Sequence, residues 1–278
     1  MRRSGFVLTC MAFGYAFLYV PILLLIIYSF NESRLVTVWS GWSVKWYGEL
    51  LHNQQMLSAA WLSLRIAAMT ASFATILGTL AGLIMARFGR FRGRTLFGGI
   101  LTAPLVMPDV ITGLSLLLLF VSMEQLIGWP EGRGITTITI AHITFAMAFV
   151  AVIIQSRLVS LDESIEEAAM DLGARPAKIF FVITVPIISP AIVSGWLLAF
   201  TLSLDDLVIA SFVSGPASTT LPMVIFSSVR LGVTPEINAL ATIIVGIVTT
   251  GIIIAGVLMA RQEKIRRIDE QMAASSNA

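Results

Sequence analysis

The sequence predicts an all-α integral membrane protein with six transmembrane helices, and three observations carry that reading. First, 57% of its 278 residues are hydrophobic and 12% are charged, with a mean hydropathy of +0.90, whereas a soluble domain carries about 25% charged residues. Second, the apolar residues gather in runs long enough for a hydrocarbon core that needs roughly 20 residues per helix. Third, Lys and Arg collect in alternate connections, as the positive-inside rule expects. The net charge of +2 is too small to point to nucleic acid. A single cysteine, Cys10, allows no disulfide and no cysteine-based metal site within the chain.

Arg2 and Arg3 precede the first run, about Phe6 to Phe30. It is longer than the ~7 to 15 residues of a signal-peptide core and ends without an A-x-A site, so it reads as an uncleaved helix. Asn31 to about Gln55 is polar and aromatic, and Trp39, Trp42, Trp46 and Tyr47 suit the headgroup level. Trp46 is the ring nominated to face a cation. The second span, about Ser58 to Ala86, carries Ala74, Gly78, Gly82 and Ala86 at four-residue spacing, a packing face for close helix approach. Arg65 near its outer end is placed to snorkel to the interface, and Arg87, Arg90, Arg92 and Arg94 form a basic loop after it.

The third span, about Leu96 to Ser122, contains Pro104, Pro108 and Asp109, which predict a bend in its first half. The fourth runs from about Thr136 to Gln155 and holds His142, read as a hydrogen-bonded packing residue. The fifth, about Ile187 to Val213, carries Asp205 and Asp206. Leu221 to Val229 is too short to cross and reads as re-entrant or interfacial. The sixth span is about Ala239 to Ala260, followed by Arg261, Lys264, Arg266 and Arg267. With both termini in the cytoplasm, the inner side holds these four together with Arg2, Arg3, Arg87, Arg90, Arg92, Arg94, Arg157, Arg175 and Lys178. The outer side holds only Arg34, Lys45, Arg133 and Arg230.

Between the fourth and fifth spans lies the long polar stretch Ser160 to Pro186, SLDESIEEAAMDLGARPAKIFFVITVP. Ser160 with Glu163 matches a capping box, Gly173 suits a left-handed helix stop, and Pro176 cannot continue the helix. A helix over about Leu161 to Leu172 follows. Its apolar face, Leu161, Ile165, Ala168, Ala169 and Leu172, is expected against the membrane helices, with Glu163, Glu166, Glu167 and Asp171 outward.

No phosphate-binding G-x-x-x-x-G-K-[ST] loop, H-E-x-x-H or G-x-S-x-G motif occurs. The intramembrane acids Asp109, Asp205 and Asp206 are the chemically loaded groups. Adjacent residues on a helix point about 100° apart, so Asp205 and Asp206 cannot share a proton as a protease dyad does. A carboxylate path for a cation and a proton relay of a secondary transporter are both open on these residues alone. So is a plain structural role at helix ends.

Glu167-Ala168-Ala169, Gly173, Ile183 and Pro186 resemble the EAA loop (EAA-x3-G-x9-I-x-L-P) of the permease subunits of bacterial ABC importers, with Val185 in place of the usual leucine. The runs Thr102 to Asp109, Ser203 to Asp206 and Pro235 to Leu240 resemble the C-type permeases of spermidine and putrescine importers, closest to the second-permease branch of the putrescine systems. The resemblance implies the type I importer permease (MetI-like) fold in one transmembrane domain over 1–278, with helices two to six as core and the first wrapped on a partner. It implies a cytoplasmic coupling helix, with Glu166, Glu167, Ala168, Ala169 and Gly173 meeting the ATPase. The implied partners are a homologous second permease, two copies of an ABC ATPase and a periplasmic polyamine-binding protein in the bacterial inner membrane. ATP and Mg belong to the ATPase, and this chain binds no cofactor. A dicationic diamine needs carboxylates or aromatic faces to replace its water, which nominates Asp109, Asp205 and Asp206, with Ser203 and Trp46, for the path.

The purified chain alone is expected to hydrolyse no ATP: phosphate release should stay at the protein-free rate and rise only when an ABC ATPase subunit is added. Turnover by the chain alone would remove the partner-ATPase reading.

Overall fold

The structure is a computed structural model that describes residues 5–35, 38–231, 234–250 and 253. Among the described residues twelve α-helices follow one another: α1 Gly5–Ser29, α2 Lys45–His52, α3 Gln54–Arg87, α4 Arg94–Val106, α5 Asp109–Ile127, α6 Ile135–Val159, α7 Ser164–Asp171, α8 Pro176–Ile179, α9 Val185–Asp205, α10 Val208–Val213, α11 Leu221–Leu231 and α12 Pro235–Thr250. A π-helical turn, Phe180–Thr184, joins α8 to α9. Among the described residues five helical stretches are long and apolar enough to cross a membrane: α1, α3, α5, α6 and the continuous run Pro176–Asp205. The chain divides into two compact units, one of residues 1–54 and 228–278 and one of residues 55–227.

In the first unit α1 is exposed from Gly5 to Leu24, while its last turn closes on a buried Ser29. The segment after it folds around Asn31, which is 1% exposed. Its side-chain amide donates to the Val38 carbonyl at 2.7 Å, and its Oδ1 accepts from Ser40 N at 3.0 Å. Its backbone oxygen accepts the Trp46 indole N–H at 2.6 Å. Trp39 and Trp42 meet edge to face with centroids 5.0 Å apart. In the same unit Asn53 donates to Glu236 at 2.8 Å.

The second unit is built around α6, the most deeply covered of the five spans. Val150 is wholly buried between α3 and α9 because both present glycine to it. A Cβ at Gly78 would stand 2.7 Å from Val150 Cβ and 2.9 Å from the Met147 carbonyl, and one at Gly195 would stand 3.2 Å from Val150 Cγ1. One turn along, a Cβ at Gly82 would reach 2.8 Å from the Ala151 carbonyl. The small-residue face expected on the second span is therefore where α3 meets α6, with Ala74 fully buried and Ala86 packed on the same cluster. Around it Ala71, Ala146, Ile154, Leu158, Ile188 and Ala199 form one cluster; Ile66, Phe120, Ile138, Ala141, Ile209, Ala210 and Val213 form a second. Lipid is as apolar as these side chains, so close packing and the dispersion it gains, about 0.1–0.2 kcal/mol per atom pair, favour association here.

Two spans differ from expectation, and a third lies partly outside the described residues. The third is broken rather than bent: Met107 (ψ 136°) and Pro108 (ψ 138°) are extended between α4 and α5. Pro108 has no N–H to give and disfavours helical ψ at the residue before it. α4 has 13 residues, too few to cross, and packs on α6 through Leu101 and Ala151. Pro104 stays inside α4 without interrupting it. The fifth span begins earlier and ends earlier than expected, running Pro176–Asp205, and α10 is a separate short helix. Of the sixth, residues 239–250 are helical within α12, while 251–260, except 253, lie outside the described residues. The basic groups Arg2, Arg3, Arg261, Lys264, Arg266 and Arg267 also lie outside them. Leu221 to Val229 does form the short helix α11.

Gly78→Ala should lower the thermal midpoint of the detergent-purified chain, since overpacking costs about 1–3 kcal/mol. Gly99→Ala in α4, where a Cβ meets nothing within 4 Å, should leave it unchanged or raise it. Equal behaviour of the two in a melting experiment would contradict the α3–α6 contact.

Candidate functional site

Two polar regions of the second unit hold most of the residues singled out from the sequence. The first is the connection from α6 to α9. Ser160 closes α6 instead of opening α7, and its hydroxyl donates to the Arg157 carbonyl at 2.7 Å. Asp162 accepts the Ser164 backbone N–H at 3.0 Å where α7 begins. These bonds to Ser164 hold the Asp162 carboxyl below its ordinary range. The expected Ser160–Glu163 capping box is thus not formed, because the chain spends Ser160 on the preceding helix and α7 starts three residues later than the motif implied.

α7 ends as expected. Gly173 takes φ +81°, its N–H reaches the Met170 carbonyl at 2.8 Å, and Ala174 N reaches the Ala169 carbonyl at 3.0 Å. This pair of bonds is the Schellman stop that requires a left-handed residue at Gly173. Pro176 then starts α8 at a position that needs no N–H.

The faces of α7 match the expected ones only in part: Glu163, Glu167 and Asp171 are exposed and Ala169 is half-buried, but Glu166 and the apolar Ile165 have exchanged sides. Glu166 turns inward, with its side chain 19% exposed, while Ile165 (47%), Met170 (48%) and Leu172 (89%) face out. Leu161, just before the helix, does pack on the membrane core. The cause is Arg87 at the end of α3, whose side chain is 11% exposed. Its Nε donates to Glu166 and its Nη1 to Glu163, both at 2.9 Å. The other Glu166 oxygen accepts the Thr184 hydroxyl at 2.7 Å, at the end of the π-helical turn. One carboxylate therefore joins the end of α3, the connecting helix and the entry to α9. Glu167 and Ala168 stay exposed beside a cavity of about 490 Å³ lined by Ala169, Leu172, Gly173, Ala174, Arg175 and Lys178. Nothing in the sequence singled out Arg87 from its three basic neighbours, or Thr184, because their partners are distant in the chain.

The second region is the break after α9. Asp206 leaves the helix, and its carboxylate accepts the backbone N–H of Ile209 at 3.1 Å and of Ala210 at 3.2 Å, capping α10. His142, buried in α6, bonds Ser203 through Nδ1 at 2.7 Å and places Nε2 3.5 Å from Asp206. His142 is therefore a packing residue as expected, and it brings Ser203 and Asp206 into one cluster. Asp205 remains exposed. Asp109 is also exposed, in the first turn of α5 directly after the Pro108 break, where a helix N-terminus favours negative charge. Ser203 is 6% exposed and Trp46 3%, so neither presents its hydroxyl or ring to a passing cation; the cation over the Trp46 ring is Lys45, 4.6 Å from its centroid.

The family described as binding-protein-dependent transport system inner membrane component matches residues 78–267. The chain is 65% identical over 271 residues to the putrescine transport system permease protein PotI of Escherichia coli (strain K12), covering 98% of this chain and 96% of that one. It is 41% identical over 263 residues to the spermidine/putrescine transport system permease protein PotC of the same organism, covering 95% of each. Among solved structures it resembles a chain of a bacterial ABC transporter that imports the acidic polysaccharide alginate, with TM-score 0.69 and 18% identity over 93% of this chain and 98% of that one. It also resembles a chain of the inward-facing MetNI methionine ABC transporter, with TM-score 0.59 and 16% identity over 74% of this chain and 94% of that one. At these identities the two structures speak for the fold alone, that of type I importer permeases.

Arg87→Met should release α7. Charge-assisted hydrogen bonds contribute about 1.5–3 kcal/mol, so amide exchange over residues 164–171 should quicken by about tenfold or more. Exchange at the wild-type rate would show that packing, not Arg87, holds the segment.

Proposed function

The chain belongs to the family of binding-protein-dependent transport system inner membrane components, the permease subunits of ABC importers, and from that premise we propose that it is one of two permeases of an ATP-driven polyamine importer, with putrescine as substrate. The observation that carries the substrate class is the 65% identity to a putrescine permease over nearly the full length of both chains. The chain performs no catalysis. Its partners are a homologous permease, two copies of an ABC ATPase that bind ATP and Mg, and a periplasmic polyamine-binding protein. The bacterial inner membrane holds it as six spans, residues 239–260 forming the sixth, with both termini in the cytoplasm.

α7 is the coupling helix. Its outward Ile165, Met170 and Leu172 give an ATPase cleft apolar surface to cover, and Glu167, Ala168 and Ala169 lie along the same short element. Arg87, Glu166 and Thr184 tie this helix to α3 and α9, so displacement of α7 by a closing ATPase is delivered to both spans through charge-assisted bonds rather than through a slack loop. α9 ends at Asp205 and Asp206, the break where a carboxylate meets the path.

The diamine loses water as it passes, and carboxylates replace it. Asp205 and Asp109, the exposed acids at the two helix breaks, are assigned to that role. Asp206 shares its charge between the α10 cap and His142, and holds the break in shape.

The test is ATP-driven uptake of radiolabelled putrescine by the assembled complex in proteoliposomes with its binding protein. Asp205→Asn should lower uptake about tenfold, the loss of one charge-assisted contact of roughly 1.5 kcal/mol, with subunit recovery unchanged. Asp206→Asn, which still caps a helix, should reduce uptake less. Wild-type uptake in the Asp205 variant would remove that residue from the path, and a complex that moves no polyamine at all would overturn the substrate class.

A further inference from the structure

Arg65 is exposed on α3, and among the described residues its guanidinium forms no ion pair with a carboxylate. Its depth is set by the other end of the same helix. Arg87 is fastened to the polar connecting segment outside the hydrocarbon core. The rise from Arg87 back to Arg65 is about 33 Å at 1.5 Å per residue, close to the roughly 30 Å thickness of that core. The two arginines therefore mark opposite interfaces of one span. Trp61, one turn further out from Arg65, is 70% exposed, as an aromatic belt residue is at the headgroup level.

Arg65 opens into a cavity of about 330 Å³ lined also by Gln55, Ser58, Trp61, Thr219 and Val224. Its second wall is the turn before α11, which is built rather than loose. Leu221 N donates to the buried Ser63 hydroxyl of α3 at 2.7 Å, and Gly215 N donates to Ser218 Oγ at 2.7 Å. Within it Ala217 holds φ +60°, a conformation that non-glycine residues seldom adopt. A water occupies roughly 30 Å³ in the liquid, so the space is far larger than a single bridging water requires. The lining offers a guanidinium fork, two hydroxyls and an amide beside the apolar surfaces of Trp61 and Val224. That is the chemistry of an amphiphile with an anionic head, since arginine meets phosphate oxygens through two parallel N–H bonds.

We propose that this pocket is a phospholipid site, in which Arg65 holds the phosphate of one headgroup at the membrane face opposite the coupling helix. A headgroup of net negative charge is preferred to a zwitterionic one, whose own ammonium group competes for the phosphate. The assignment is independent of which substrate the importer carries.

The assembled complex, stripped of lipid in detergent, is titrated with phosphatidylglycerol, phosphatidylcholine or inorganic phosphate at equal ionic strength while its thermal midpoint is read. Phosphatidylglycerol should raise the midpoint at lower concentration than phosphatidylcholine, and inorganic phosphate should have no effect. Arg65→Gln should raise the half-saturating phosphatidylglycerol concentration about tenfold, and Arg65→Lys by less. Should Arg65→Gln alter the starting midpoint, native mass spectrometry supplies the second readout: one retained phosphatidylglycerol fewer than in the wild-type complex supports the site, and an equal number overturns it. An unchanged titration in Arg65→Gln would also overturn it. So would stabilisation by inorganic phosphate, which marks a free-anion site, or loss of the second permease from the variant complex, which marks a subunit contact.

Discussion

Val150 sits where three spans come closest, and the packing of the larger unit depends on that approach. Gly78 and Gly195 face it from α3 and α9, leaving no room for a Cβ at the first and little at the second. In lipid the helices gain nothing from hiding apolar surface, so their association depends on backbones drawing near enough for many weak contacts to add. Bulk at these positions would push α3 and α9 away from α6. It would also strain the bonds that join them at their ends, from Arg87 to Glu166 and from His142 to Ser203.

Those end bonds give the bundle its polarity. At one end of α9 a single carboxylate, Glu166, gathers Arg87 and Thr184; after its other end Asp206 caps α10 and faces His142. At the second, the carboxylate gives the first N–H groups of α10 the partners that hydrocarbon cannot supply. The two helix breaks, at Met107–Pro108 and Asp206–Leu207, expose carbonyl and N–H groups where a continuous helix would have none. Each break carries an exposed acid beside it, Asp109 or Asp205.

Helix α7 shows how a long-range ion pair overrides local pattern. By spacing, Ile165 and Leu172 belong on a buried face and Glu166 on a wet one. The structure does the opposite, since a partly buried guanidinium at Arg87 needs a carboxylate more than Ile165 needs cover. Ile165, Met170 and Leu172 then face outward, an apolar surface that is costly to leave wet.

The sequence by itself determined the membrane class, the positions of the first, second and fourth spans to within about four residues, the small-residue face of α3 and the Gly173 stop. Each follows from local composition or from one residue's backbone preference. Gly173 needs no partner to favour a positive φ, and a four-residue spacing of small side chains lies on one helix face in any context. Its family likeness, too, was legible in EAA-x3-G and in the run through Asp205 and Asp206. Only the tertiary structure decided which face of α7 turns inward, that Ser160 ends one helix rather than starting another, that Met107–Pro108 breaks a span, and that Trp46 and Ser203 are buried while Asp205 is not. The turn of Glu166 inward and the burial of Trp46 and Ser203 depend on partners such as Arg87, Asn31 and His142, which stand 15 to 79 residues away in the chain. No local spacing records a bond between groups that only folding brings together.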